Sequence, residues 1–347
     1  MKIAVYAISK NEEKQVKRFC ESAKKADLIL IADTGSTDNT VILARECGAV
    51  VHNVFISPFK FDKARDAALA LLPKDIDVCI SMDLDEVLMP GWREEIERVW
   101  VGKTNRLEHS FDNSGGMIFR PSRVHARQGY GWKYPCHEYV VADIRTVVHQ
   151  ASTDFVLMRH EQDKTKSRSQ YLDMLETAVK EDPNCSRMSF YYARELSYSQ
   201  KFEETIAEFK RYLKLPTATW GMERGYAMRM IGDAYEALGQ DATNWFYMAI
   251  SEDLSAREPW ICLANKYYKL NAWENCYLAA KKALSIKEQQ LSHTTDPLSW
   301  GSLPHDLLAI SAYRLGLKEE ALKHGQIAVD LEPNNERLIK NLGYYKE

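Results

Sequence analysis

Four short apolar runs, the first three each followed by a stretch of helical character, restrict the fold of the first half of the chain more than any other feature. "IAVYAI" (Ile3 to Ile8), "DLILIAD", "AVVHNVF" and "IDVCISM" are apolar over consecutive positions, as strands covered on both faces require. After the first run, Val16, Phe19, Cys20 and Ala23 fall at helical spacing. "TGSTDNTVILARECG" supplies a glycine-containing turn with Ser, Thr and Asp cap candidates before a second helix. "FDKARDAALALL" has helical periodicity closed by Pro73. Strands alternating with helices predict a mostly parallel, Rossmann-like open α/β sheet covered by helices. In such sheets ligands bind beyond the carboxyl ends of the strands.

Unusual polar residues fall at those ends: Asn11 and Glu12 after the first run, Asp33 after the second, and Asp83, Asp85 and Glu86 after the fourth. Three acids within four positions repel one another, and their desolvation needs a cation or hydrogen-bond donors. Hard carboxylate oxygens suit Mg2+ or Mn2+, and Asp85 is the best direct ligand. Asp83 would support the ion. Glu86 reads either as a supporting residue behind the ion or as a solvated acid at a helix start.

From about Lys164 the β-rich character gives way to long amphipathic segments. "PWICLANKYYKLNAWENCYLAAKKALSI" places Trp260, Leu263, Ala264, Tyr267, Cys276, Ala280 and Ala283 at the spacing of tetratricopeptide-like repeats. "HDLLAISAYRLGLKEEALKHGQIAVDLEP" repeats the pattern through Leu308, Ala309, Ala312, Gly316, Ala321, Ala328 and Pro333. Weaker copies lie in "FYYARELSYSQKFEETIAEFKRYLKLP" and "YAMRMIGDAYEALGQDATNWFYMAI", the latter with its second helix out of register. "KEQQLSHTTDPLSWGSLP" reads as a loop or an altered helix end. The expected organisation is an α/β catalytic domain over 1–163 and an all-α repeat domain over 164–347. Repeat arrays offer concave surfaces for a partner, an acceptor or a second copy of the chain, and otherwise buttress their neighbour.

With 347 residues, 27% charged, and a net charge of −3, the chain has no basic run that argues for nucleic acid or an anionic membrane. Seven scattered cysteines without CxxC spacing fit reduced thiols, so a cytoplasmic location is expected, and no stretch is long enough to span a bilayer.

Taken together, "AISKNEEKQVKRFCES", "LILIADTGSTDNTVILARECGA", "FKFDKARDAAL" and "CISMDLDEVL" resemble the inverting family 2 glycosyltransferases, whose nucleotide-sugar-binding fold is called GT-A. The "KARD" segment, "CHEY" and the helical tail are similar to the branch holding lipopolysaccharide-core glucosyltransferases and bacteriocin S-glycosyltransferases. The resemblance covers roughly Lys2 to Val101 and is looser up to about His160. It implies a nucleoside diphosphate sugar donor, in the first instance a UDP-sugar, whose base is held at Ala7 and Asp33, with Asn11 and Glu12 near the nucleoside. Arg65 is then expected near the base or diphosphate. Relatives commonly have Asn where this chain has Asp66, which puts the details of donor recognition in question.

An inverting transfer also needs a base to take the acceptor hydroxyl's proton. The family's "HE" motif points to Glu138, with His137 beside it. His160, ending the apolar run "FVLMRH", is expected near the metal or the diphosphate, whereas His109, His125 and His149 receive no role. The Gly-rich, aromatic stretch between the acids and His160 is where an acceptor glycan, peptide or other molecule would be recognised. Tyr130, Trp132 and Tyr134 alternate there, two of the three read as packing residues. Two other functions compete: a nucleotidyltransferase, which would want a glycine-rich basic loop where the chain has "SKNEEK", and a binding module with an inactive sheet domain.

Overall fold

The computed structural model describes residues 1–114, 118–161, 170–290 and 292–346. They form two compact units, Met1–Ala178 and Val179–Glu347. The boundary expected between 163 and 164 lies outside the described residues.

In the first unit the chain runs through β1 (Ile3–Ser9), α1 (Glu13–Ala23), β2 (Leu28–Asp33), α2 (Thr40–Glu46), β3 (Val50–Asn53), α3 (Phe61–Leu71) and β4 (Val78–Met82). It continues as β5 (Glu86–Leu88), α4 (Trp92–Val99), β6 (Arg106–Asp112), β7 (Ile118–Phe119), β8 (Val124–Ala126), β9 (Tyr130–Lys133), β10 (Tyr139–Ala142) and β11 (Gln150–His160), and α5 (Gln170–Glu181) spans the change of unit after Ala178. The main sheet has the order β3-β2-β1-β4-β8-β6-β11-β5, with β7 on β6. Its first four strands are parallel, as βαβ crossovers dictate. Beyond β4 the sheet is mixed: β8 runs antiparallel to β4 and β6, β11 parallel to β6, and β5 antiparallel to β11.

Alternation along the buried strands separates two cores. Ile3, Val5, Ala7, Ile29, Ile31, Ile80 and Met82 pack with Val16, Phe19, Cys20 and Ala23 of α1, the helix positions read from spacing. On the other face Ala4, Tyr6, Leu30, Ala32 and Cys79 pack against α3 and Trp132. There a polar chain crosses the apolar layer: Trp132 Nε1–H donates to the Tyr6 hydroxyl (2.8 Å), which lies 2.9 Å from His125 Nε2. His125 Nδ1 is 2.8 Å from the Ala126 carbonyl, so Nδ1 holds the proton and Nε2 accepts from Tyr6.

That arrangement keeps His125 neutral. Burial lowers its pKa to about 4, against a smaller upward pull from the Ala126 carbonyl. His109, equally buried, is also lowered to about 4. A histidine depressed in the fold stabilises it fully above its unfolded pKa, about 6.5. That stability is lost as pH falls from there toward 4, because the unfolded chain takes up the proton first. The expected loss is on the order of 3 kcal/mol per histidine. Urea denaturation between pH 7.5 and 4.5 should show this slope, reduced by about one proton in His125→Gln. A flat profile over that interval would contradict it.

The second unit contains α6 (Ser186–Tyr198), α7 (Phe202–Tyr212), α8 (Gly221–Ala237), α9 (Thr243–Glu252), α10 (Glu258–Lys269), α11 (Trp273–Ser285), α12 (Leu303–Arg314), α13 (Lys318–Leu331) and α14 (Glu336–Lys346). Ala264, Ala280, Ala283, Ala309, Ala312, Ala321 and Ala328 are buried, as close helix approach requires. In the weaker copy on α8 and α9, Gly232 does the same job. A Cβ there would sit 2.5 Å from a ring carbon of the buried Phe246. The polar stretch before α12 is irregular except for a 3-10 turn, Pro297–Trp300, where the Asp296 carboxylate accepts the Leu298 N–H. No helix among the described residues is long and apolar enough to cross a membrane.

Candidate functional site

Parallel register brings the first set of polar residues to one rim. Ser9 pairs with Asp33, and Ala7 pairs with both Ile31 and Met82, so β1, β2 and β4 end side by side with Asp83 following directly. Asp33 is turned inward. It is 2% exposed, and its carboxylate accepts from Ser9 Oγ (2.8 Å), Ser36 Oγ (2.5 Å), Ser36 N–H (2.9 Å) and Gly35 N–H (3.0 Å). Burial pushes its pKa up, but these donors outweigh it and hold the carboxyl below the usual range. Four donors fill the acceptor sites of a carboxylate. These bonds make the Asp33 side chain the centre of the 33–36 turn at the end of β2. Ala7, two residues before the end of β1, is fully buried between β2 and β4.

The loops above the rim are bound to each other. Asn11, in the left-handed region (φ 56°), accepts from Thr37 N–H at 2.7 Å, while its own N–H donates to Ser36 Oγ at 2.8 Å. The Glu12 N–H donates to Thr40 Oγ1 at 2.7 Å, and Glu13 N–H to Asp38. These contacts make a rigid shelf from the β1–α1 and β2–α2 loops.

The acidic cluster divides into two settings. Arg65, 4% exposed, sends Nη2 to Asp83 (2.5 Å), Nε to Glu138 (2.7 Å) and Nη1 to Ser81 Oγ (3.3 Å), with its guanidinium 4.8 Å from the centre of a Trp132 ring. Burial works against its charge, and Asp83 and Glu138 outweigh burial, so its pKa stays above the ordinary value. Arg123 forks onto Glu86 (2.6 and 3.1 Å) and approaches Asp83 at 3.6 Å. Burial pushes the Glu86 carboxyl up while Arg123 opposes it; the forked contact fits the ion pair. Glu86 is thus a buried residue of β5 behind Asp83, whose N–H it also accepts at 2.9 Å. It is not a solvated acid at a helix start.

Asp85 has a different neighbour. Antiparallel pairing of β11 with β5 sets His160 opposite Glu86, and the Glu161 N–H donates to the Asp85 carbonyl at 2.7 Å. His160 Nε2 therefore faces Asp85 Oδ2 at 3.4 Å. Its Nδ1 lies 3.2 Å from Asn113 Oδ1. The hydrogen bond to Asp85 raises the His160 pKa despite partial burial. This pair suits a divalent cation: one hard oxygen and one imidazole nitrogen converge, and an outer partner fixes the ring, as metal-bound histidines require. No group of three or more His, Cys, Asp or Glu side chains meets among the described residues, so further ligands would come from water or a bound phosphate.

His137 and Glu138 lie in the β9–β10 connection, docked on α3 where Phe61 N–H donates to the Pro135 carbonyl at 2.9 Å. His137, with φ 49°, stacks on Tyr171, which also stacks on Phe61. Asp66, the departure from the common Asn, accepts the Trp132 N–H at 2.7 Å and so fastens β9 to α3. Burial raises its pKa, with the Trp132 N–H as the chief opposing influence. Trp132 and Tyr130 are packing residues, bonded to Tyr6 and Asn105. Sequence reasoning missed Arg123, Ser9 and Asn113.

Against known proteins, no family model matches the chain. Over 103 residues it is 31% identical to an uncharacterized glycosyltransferase of Rickettsia bellii. The match takes in 29% of this chain and 34% of that relative, so the chain spans about a third of its length. Among solved structures, YrrB, a TPR protein with an unusual peptide-binding site, superposes with a TM-score of 0.40 at 15% identity, over 50% of this chain and 82% of its own. Glucosyl-3-phosphoglycerate synthase from Mycobacterium tuberculosis, in complex with Mn2+, UDP and phosphoglyceric acid, superposes with a TM-score of 0.31 at 20% identity, over 37% and 56% of the two chains.

Proposed function

We propose that the first unit is a metal-dependent inverting glycosyltransferase that moves a sugar from a nucleoside diphosphate donor, UDP before others, to an acceptor hydroxyl. The observation that supports this most is the split acidic rim: Asp85 facing His160, beside Asp83 held by the buried Arg65 and the partly buried Arg123. The partial relative is described as a glycosyltransferase, which agrees with this reading.

Asp85 and His160 would hold Mn2+ or Mg2+, which supplies positive charge against the departing diphosphate. Asp83, 41% exposed on its side chain, is open to a donor ribose even while Arg65 and Arg123 fix its orientation. Asn11 and Glu12 offer the rim of the nucleoside shelf, and Asp33 acts through the turn it holds. Ala7 supports that shelf from within the sheet. Glu138, oriented by Arg65 at 2.7 Å, is placed to accept the acceptor's proton, with His137 beside it. The helical unit would hold an acceptor glycan or peptide, or pair with a second copy, and the protein would work in the cytoplasm.

The test is a panel of sugar nucleotides incubated with the protein and Mn2+ or Mg2+. Release of nucleoside diphosphate, abolished by chelator, is expected with at least one UDP-sugar. Pyrophosphate release would instead favour a nucleotidyltransferase. No turnover, with no nucleoside diphosphate raising thermal stability, would favour an inactive sheet domain.

A further inference from the structure

Helix α6 has a stripe that the proposed transfer does not use. Arg187, Tyr191, Arg194 and Tyr198 fall at i, i+4, i+7 and i+11, so cation and phenol alternate along one face. The Arg194 guanidinium lies 4.6 Å from the centre of the Tyr191 ring and 6.0 Å from that of Tyr198. Arg187 approaches the same Tyr191 ring at 4.9 Å. From α8, Arg229 lies 4.9 Å from the centre of the Tyr226 ring.

These cations differ in one respect. Arg229 has Asp233 at 3.4 Å. Arg194 is only 8% exposed, its Nε has no hydrogen-bond partner, and no acid lies within ion-pair distance of it among the described residues. A desolvated guanidinium without an anion is costly, and aromatic faces compensate only part of that cost. They cover the plane of the group and leave its N–H edge to point at a ligand. Tyr198, 57% exposed, stands at the open side. The Tyr226 ring lies 5.4 Å from that of Phe190, which is 5.6 Å from the Tyr191 ring; burial pushes the Tyr226 pKa up, while Arg229 and Arg194 both pull it down. The cluster thus offers forked N–H donors and phenolic hydroxyls around one position.

We infer that Arg194, with Tyr198 and Tyr226, forms a binding site in the helical unit for a phosphate-type oxyanion, free or as the phosphoester of a small ligand. The ligand's oxygens replace water at the guanidinium edge, supplying the negative charge that the fold leaves out.

Thermal unfolding of the full chain with inorganic phosphate, against chloride at matched ionic strength, tests this without metal or sugar nucleotide. The wild type should gain about 3 °C or more at saturating phosphate. Arg194→Met should lose that increment, and since phosphate also stabilises proteins by surface exclusion, the difference between the two proteins is the reading that counts. Arg194→Lys, which keeps the charge but not the fork, should retain a smaller gain and serves if the Met variant does not fold. Glucose 6-phosphate distinguishes a phosphoester from the free ion, either response supporting the site. An equal gain in Arg194→Met, no gain in the wild type, or a response to acetate as large as that to phosphate would overturn the assignment.

Discussion

Asp85→Ala removes metal-stimulated release of nucleoside diphosphate, lowering turnover by on the order of 100-fold or more, while the protein stays folded. The side chain is 8% exposed and directs Oδ2 at His160 Nε2, so its loss deletes the hard-oxygen half of the cation pair. Folding should survive because β5 is tied to β11 through the Asp85 carbonyl and the Glu161 N–H, which the substitution leaves intact. His160→Ala should fall in between, about 10- to 100-fold, with a raised metal requirement, since the ion keeps its carboxylate but loses the nitrogen. Initial rates over a Mn2+ titration, alongside circular dichroism of each variant, provide the measurement. Wild-type turnover in Asp85→Ala would remove the cation from this rim and with it the reading of His160.

The parts of this rim that could be read in the sequence are those fixed by local pattern. Asp33, Asp83 and Asp85 end apolar runs, and parallel strands joined by helices must finish on the same side. Position alone could not say which carboxylates face outward. Asp33 looks like a site acid in one dimension, and only the conformation of residues 33–36 shows that its oxygens are filled locally. Arg123 was invisible for another reason. It reaches the acids because β8 folds back antiparallel on β4 and β6, and strands of three residues give no periodicity to detect. The same long-range pairing explains why a mostly parallel reading suited β1 to β4 and missed the mixed second half of the sheet. In the helical unit small residues at fixed spacing were legible for α10 to α13. The copy on α8 and α9 was harder to read because its second helix falls out of the repeat spacing, although Gly232, which packs on Phe246, fits the pattern.

Arg65→Ala should destabilise the first unit by about 3–5 kcal/mol, the largest loss expected from any single change at the rim. A guanidinium 4% exposed bonds Glu138, Asp83 and Ser81 at once, so its removal takes the cation from the buried Glu138 and a donor from Ser81, while Asp83 keeps Arg123 at 3.6 Å. The two acids will not suffer equally. Glu138 is 12% exposed on its side chain and Asp83 41%, so water can recover the second far more readily than the first. Asp83→Asn should consequently cost little stability, and Glu138→Gln more, because Arg65 then loses the acid that water cannot replace. Arg65→Lys should rank between wild type and Ala, since an ammonium cannot reproduce the fork to Glu138 while bonding Asp83 and Ser81. Urea denaturation followed by tryptophan emission and by circular dichroism orders the four variants. If Arg65→Ala unfolds within about 1 kcal/mol of the wild type, the two acids are not held by this arginine in solution, and an oriented base at Glu138 loses its physical ground.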